Sequence, residues 1–336
     1  MILGHGGDRY RYKDIKFDFS SNVVPEELNR DFLNEIKKLD YIITTYPEPD
    51  AGHLAELFKH RFGLKDESVI VLNGSVEGIY LVSEYFYGKR TAIIVPTFSE
   101  YYDAAKRFFH DVKCLFRNQL EDLDGLDLIF ICNPNNPDGF CFEKKFIIDM
   151  LRRHKNTFFI IDEAYIDLSD ADYSMIYELE RFHNLIVIRS FTKLFSIPGV
   201  RLGFLITNKE IGKKLEHFKI PWSINSFAQT IGDYILKNYD RIKPDVAKLL
   251  RFSKNLQRRM KDFKKIKVVD SATNFFILRT SMESWKIKEI MAKRYQILIR
   301  DASNFFGLDN YTVRIASGLE HSNEILLRAF GEIFDA

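Results

Sequence analysis

Between residues 68 and 206 the chain repeats one pattern: a short apolar run, an amphipathic stretch, then another apolar run. The runs fall at 68–72, 91–95, 127–131, 157–161, 185–189 and 204–206. Each is rich in Ile, Val or Phe and is bounded by Gly, Pro, Asn or Asp. A strand exposed on one face would alternate apolar and polar residues. Continuous runs predict strands buried on both faces. Helical periodicity fills most of the gaps, as at 76–87, 101–109 and 144–154. Strands alternating with helices predict an α/β fold with a mostly parallel sheet covered on both sides.

After residue 210 the pattern changes. Two long amphipathic stretches, 226–238 and 244–263, precede short apolar runs at 267–269, 274–278, 296–299 and 311–315, and a last amphipathic stretch covers 322–333. This predicts a smaller α/β domain. Residues 1–35 carry little regular pattern and are expected to pack with it. The expected division is therefore a large domain over 36–235 and a small domain from 236–336 plus the segment 1–35. No internal repeat or low-complexity tract interrupts the chain.

A length of 336 residues suits this division. The formal net charge of +2, without a dense Lys/Arg block, argues against a nucleic-acid partner. Cys114, Cys132 and Cys141 form no Cys-x-x-Cys pair and read as free thiols, so no metal site is expected. The N-terminus lacks a basic patch followed by an apolar stretch, and no run is long enough to span a bilayer. A cytoplasmic protein with no membrane partner is expected.

Ligands of open parallel sheets bind outside the carboxyl ends of the strands. Five signals fall at such ends: Asn73-Gly74-Ser75, Pro96-Thr97-Phe98, the turn 133–139, Asp162 to Tyr165, and Ser190 to Lys193. A lysine is ordinarily a solvated surface group. Lys193 instead follows a buried strand and precedes Leu194-Phe195, where desolvation favours the free amine that a Schiff base requires. Asp162 reads either as a helix N-cap or as a buried carboxylate facing a pyridine nitrogen. Tyr165 reads as a packed aromatic or a phenol reaching the same ring. Asn136 sits in an Asn-Pro turn that positions its amide, and Phe98 is a candidate lid over a ring or a core phenylalanine. Gly74 and Ser75 open a helix whose N–H groups suit an anion, with Ser190 and Arg201 completing a phosphate cup. An amine, a carboxylate and a phosphate clamp, all at strand ends, are what a pyridoxal phosphate site needs.

These residues resemble the fold-type I pyridoxal phosphate enzymes, the class I/II aminotransferase superfamily, over nearly the whole chain. Within that group several segments are similar to the threonine-phosphate decarboxylases of cobamide biosynthesis. They are His5-Gly6-Gly7, Asp18-Phe19-Ser20-Ser21-Asn22, Tyr46-Pro47-Glu48-Pro49-Asp50, Pro221-Trp222-Ser223-Ile224-Asn225, Asn304-Phe305-Phe306-Gly307-Leu308-Asp309 and Val313-Arg314-Ile315-Ala316. The resemblance implies a seven-stranded, mostly parallel sheet in the large domain. It makes Lys193 the Schiff-base lysine, Asp162 the partner of the pyridine nitrogen, Asn136 and Tyr165 the contacts of the ring oxygen, and Ser190 and Arg201 those of the cofactor phosphate.

It further implies that Tyr46 reaches the cofactor phosphate of a neighbouring subunit, giving a homodimer with shared sites. Arg314 would hold a substrate carboxylate, Arg300 and His5 would lie near a substrate phosphate, and Asn22, Trp222, Asn225 and Asn274 would frame the substrate. Two positions depart from the pattern: Asp138 stands where threonine is usual, and Val24 where a second asparagine is common. The implied reaction is decarboxylation of L-threonine or L-serine O-phosphate to aminopropanol or ethanolamine phosphate. The alternatives are an aminotransferase of the histidinol-phosphate type and a non-catalytic protein that binds the cofactor.

Overall fold

A computed structural model describes residues 6–334 except 13, 39–40, 45, 121–122 and 171–173, and except the side chains of 41 and 43. The N-terminal segment contributes β1 (Phe17–Asp18) and α1 (Arg30–Ile36). The middle of the chain runs α2 (Gly52–Phe62), β2 (Ser68–Leu72), α3 (Ser75–Tyr85), β3 (Arg90–Val95), α4 (Glu100–Arg107), β4 (Asp111–Phe116), β5 (Leu128–Cys132), α5 (Lys144–Arg153), β6 (Phe158–Asp162), β7 (Leu185–Ser190), β8 (Gly203–Thr207) and α6 (Lys209–Glu216). The remainder is α7 (Ser226–Ile242), α8 (Val246–Met260), β9 (Ile266–Val268), β10 (Phe275–Thr280), α9 (Ser284–Tyr295), β11 (Ile297–Leu298), β12 (Arg300–Asp301), β13 (Thr312–Ala316) and α10 (Glu320–Phe334).

Seven strands form the large sheet in the order β2-β8-β7-β6-β5-β3-β4, with β8 alone antiparallel to its neighbours. The apolar runs supply both faces. Val69 and Val71, Ile129 and Ile131, and Phe159 and Ile161 enter one core, while Ile70 and Leu72, Leu128 and Phe130, and Ile160 enter the other. This is the period-2 consequence of a sheet buried on both sides. Because β2, β3, β5, β6 and β7 point the same way, their carboxyl ends share one edge. All five sequence signals converge there.

β4 lies at the sheet edge, and its sequence Asp111-Val112-Lys113-Cys114-Leu115-Phe116 alternates between exposed and covered positions. Half-covered edge strands lack the continuous apolar run, which is why this strand is absent from the sequence pattern. α9 is likewise unmarked by a clear stripe: its apolar Trp285 is exposed while Lys288 is buried.

The second sheet, β12-β13-β10-β9, is antiparallel, and β1 pairs in parallel with β11 beside it. The N-terminal segment serves two cores. Phe19 joins the core of the small sheet, whereas Val24 and Phe32 pack into the core beneath the large one. The Val24 N–H donates to the Lys193 carbonyl at 3.0 Å, and the Asn29 amide donates to the Leu194 carbonyl at 3.0 Å. The segment thus braces the loop after β7. Among the described residues, no helix is long and apolar enough to cross a membrane, and Cys114, Cys132 and Cys141 are free thiols.

Candidate active site

A cavity of about 240 Å³ opens at the carboxyl edge of the large sheet, closed on its other side by β12, β13 and the N-terminal segment. Asn22, Ser75, Phe98, Asn136, Asp162, Tyr165, Lys193, Arg201, Arg300 and Arg314 all line it. They are drawn from positions nearly three hundred residues apart.

Lys193 lies in a turn after β7, flanked by Phe191 and Phe195, both fully buried. Those rings pack against each other at 5.6 Å, and Phe191 packs on Phe204 at 5.0 Å, so the backbone at Lys193 is pinned from both sides. The amine's remaining exposure faces the cavity rather than bulk solvent. Burial, reinforced by Arg201 and Arg314 and opposed by Asp162, pulls its pKa down to about 8.

Asp162 closes β6. Its Oδ1 accepts from the Ala164 N–H at 2.9 Å and its Oδ2 from the Tyr101 hydroxyl at 2.7 Å. Burial raises its pKa, and those two donors together with Lys193 work in the opposite direction. Tyr165 is buried edge-on to Phe275 at 4.8 Å, and burial pushes its phenol up to about 12. It is a neutral donor near neutrality.

Gly74 and Arg201 meet at the head of α3. Gly74 has φ +78°, and a Cβ there would lie 2.2 Å from Arg201 Nη2. Only glycine allows the guanidinium to lie against this turn. Arg201 itself has φ +63°, an uncommon conformation for a non-glycine residue, and its Nη1 donates to the Pro198 carbonyl at 3.0 Å. Ser190 stands behind this cup, its hydroxyl 2.8 Å from that of Thr192, and Thr192 reaches the cavity in its place.

On the opposite wall Arg300 and Arg314 are direct partners in the β12–β13 register. Arg314 donates to Asn136 Oδ1 and, at 2.6 Å, to the Ser20 carbonyl, while Arg300 donates to Asn304 Oδ1 at 2.8 Å. Among the described residues, no carboxylate lies within salt-bridge distance of either. Like charges facing each other across strands are destabilising, and burial lowers the pKa of both guanidinium groups. The cavity as a whole carries four basic side chains and one carboxylate. Such an imbalance suits contents bearing several negative charges.

The remaining expected residues sit elsewhere. Tyr46 and Trp222 are exposed on the surface with ring centroids 6.2 Å apart, and the Trp222 N–H donates to the Pro49 carbonyl. Asn225 caps α7, accepting from the Ala228 N–H at 2.9 Å. Asn274 is fully buried before β10 with neither amide atom hydrogen-bonded among the described residues, but it does not line the cavity. His5 lies outside the described residues. Asp138 is buried, pairs with Arg117 and accepts from Asn135 Nδ2 at 2.7 Å, so this departure stiffens the turn that carries Asn136. At the other departure, Val24 acts through its backbone, as the brace on Lys193 described above.

Tyr101 and Cys132, which line the cavity behind Asp162, were missed in the sequence. Gly6, marked there only within a family-like segment, lines it too, and a Cβ on it would fall 2.1 Å from the Ser20 carbonyl oxygen. One signal did mark Tyr101. It stands three residues after Phe98, and the two rings meet edge-on at 5.9 Å.

The site fits pyridoxal phosphate on its own geometry. It offers a partly desolvated amine, a buried carboxylate, a glycine-lined anion cup at a helix N-terminus, and an Asn22 amide that is buried with neither atom hydrogen-bonded among the described residues. The sequence of residues 14–330 matches the family described as aminotransferase class I and II. A protein assigned as a threonine-phosphate decarboxylase from Caldanaerobacter subterraneus subsp. tengcongensis is 30% identical, over 98% of this chain and 94% of its own. The L-threonine-O-3-phosphate decarboxylase of Porphyromonas gingivalis superposes with TM-score 0.91 at 29% identity, covering 95% of this chain and 99% of the other. The histidinol-phosphate aminotransferase of Clostridium acetobutylicum superposes with TM-score 0.87 at 31% identity, with the same coverage.

Proposed function

This chain belongs to the aminotransferase class I and II family, and from that premise we propose that it decarboxylates an O-phosphorylated β-hydroxy amino acid, L-threonine or L-serine O-phosphate. The products are CO₂ and an amino-alcohol phosphate. The carrying observation is the pair Arg300 and Arg314, opposed across two strands and facing the cavity without a carboxylate partner among the described residues. A substrate with a carboxylate at one end and a phosphate at the other would neutralise both. A decarboxylase of such a substrate is also among the similar structures.

The cofactor is pyridoxal phosphate. Lys193 Nζ would hold it covalently, Asp162 would face its ring nitrogen, and Asn136 and Tyr165 its ring oxygen. Phe98 would cover the ring, and Gly74, Ser75, Thr192 and Arg201 would take its phosphate, with Ser190 supporting Thr192 from behind. Once bound, it supplies an electron sink for a bond broken at the substrate's α-carbon.

Arg314 binds the substrate carboxylate and Arg300 its phosphate, and the Asn22 amide lines the same cavity. Two anchors on one rigid strand pair hold the α-carbon in a single orientation, and orientation selects the bond that breaks. After CO₂ leaves, Lys193 Nζ, carrying a proton taken from the incoming substrate ammonium, delivers it to the α-carbon. The N-terminal segment, with Gly6 against Ser20 and Arg314, excludes water from that end. Tyr46 and Trp222, exposed in the single chain, would meet a second copy, and Tyr46 would reach that copy's phosphate cup.

A second reading, transamination of histidinol phosphate with Lys193 removing the α-proton, is supported by the 31% identity to such an aminotransferase. Incubation with threonine phosphate, serine phosphate, or histidinol phosphate plus 2-oxoglutarate separates the two. We expect CO₂ and amine phosphate from one of the first two. A keto product from histidinol phosphate, with no CO₂ from the others, would reverse the assignment.

A further inference from the structure

Tyr101 has no part in the scheme above, yet it holds the key carboxylate. It is fully buried in α4, stacked on Phe130 with centroids 5.2 Å apart, and its hydroxyl donates to Asp162 Oδ2 at 2.7 Å. Four other groups face Asp162. The Ala164 N–H holds Oδ1, Cys132 stands beside it in the β5–β6 register, and Lys193 is the cation whose charge reaches it. Tyr165 adds a second neutral phenol from the turn beyond β6. A carboxylate enclosed in an apolar site reverts to the acid unless donors stabilise its charge. Burial pushes Tyr101 well above the usual phenol range, so it acts only as a neutral donor. The Cys132 thiol is likewise raised by burial and brings no negative charge at neutral pH.

We infer that Tyr101 is a positioning residue: through its hydrogen bond it keeps Asp162 ionised and turned toward the cavity, and so sets how strongly the cofactor ring withdraws electrons. The inference rests on the cofactor assignment above. An ionised Asp162 keeps a proton on the ring nitrogen, and a protonated ring makes the nitrogen joining Lys193 to the cofactor more acidic. Loss of the Tyr101 donor therefore makes that nitrogen hold its proton to higher pH.

Tyr101→Phe removes one oxygen and little volume. In protein loaded with pyridoxal phosphate, the pH midpoint of the visible band should rise by at least about half a unit, and cofactor affinity, measured by fluorescence on the apoprotein, should weaken roughly tenfold. In an Asp162→Asn background the same change should leave the midpoint in place, since a residue acting through Asp162 cannot be additive with it. Tyr101→His, which keeps a donor, should fall between wild type and Y101F, and it carries the test if Y101F does not fold. A midpoint unmoved in both variants, or moved equally in both backgrounds, overturns the role of Tyr101 and leaves the cofactor assignment standing. Wild-type protein that takes up no cofactor and shows no band overturns both.

Discussion

Lys193 is drawn toward its free-amine form because the fold desolvates it and surrounds it with arginines. A pKa pulled down to about 8 has a definite sign: the reactive amine accumulates as pH rises toward 8, whereas a surface lysine would need a pH above 10. Covalent uptake of pyridoxal phosphate by the apoprotein should accelerate about tenfold per unit up to pH 8 and then level off. Stopped-flow absorbance reads this directly, and a rate still climbing at pH 10 would show an unshifted lysine. At this scale the sequence was informative. Lys193, Asp162 and Asn136 were legible because each ends or follows an apolar run and such ends converge in parallel sheets, and Arg201 because it leads into the antiparallel β8, which starts at the same edge. Tyr101 was legible only as a neighbour of Phe98 three residues earlier, because a tyrosine inside an amphipathic stretch carries no local mark of the carboxylate it meets.

Helices and strands place these residues, and their ends do specific work. Asn225, expected beside the substrate, caps α7 and also donates to the Val200 carbonyl at 3.3 Å. Asn225→Ala should therefore lower stability by about 1 kcal/mol, measured by urea unfolding. Asn225→Asp, which retains the capping oxygen, should lose much less. Equal losses in both variants would point to a role other than capping. The strands buried on both faces were legible from their continuous runs. β4 and α9 were not, since a half-covered edge strand has no continuous apolar run and a helix with an exposed tryptophan and a buried lysine has no clean stripe.

For the whole molecule, the exposed pair Tyr46 and Trp222 is an apolar surface that a second copy would cover. The protein should sediment as a dimer. Lys193→Ala and Tyr46→Phe proteins, each impaired alone, should regain roughly a quarter of wild-type activity when unfolded and refolded together, because half of the dimers then contain one intact site. No recovery from the mixture would place both residues in the same protomer's site.

The amino-acid sequence by itself determined the α/β architecture, the sheet edge where chemistry collects and the strand-end residues that line the cavity there, all of them consequences of short-range periodicity and strand ends. Only the tertiary structure decided which distant groups meet. Arg300 faces Arg314 through strand register, Tyr101 reaches Asp162 across the sheet, and Val24 ties the N-terminal segment to the Lys193 loop. The physical reason is range. A period of 2 or 3.6 residues reports which face of an element is buried, but pairing between elements is set by packing and hydrogen bonding of segments that the local pattern does not connect.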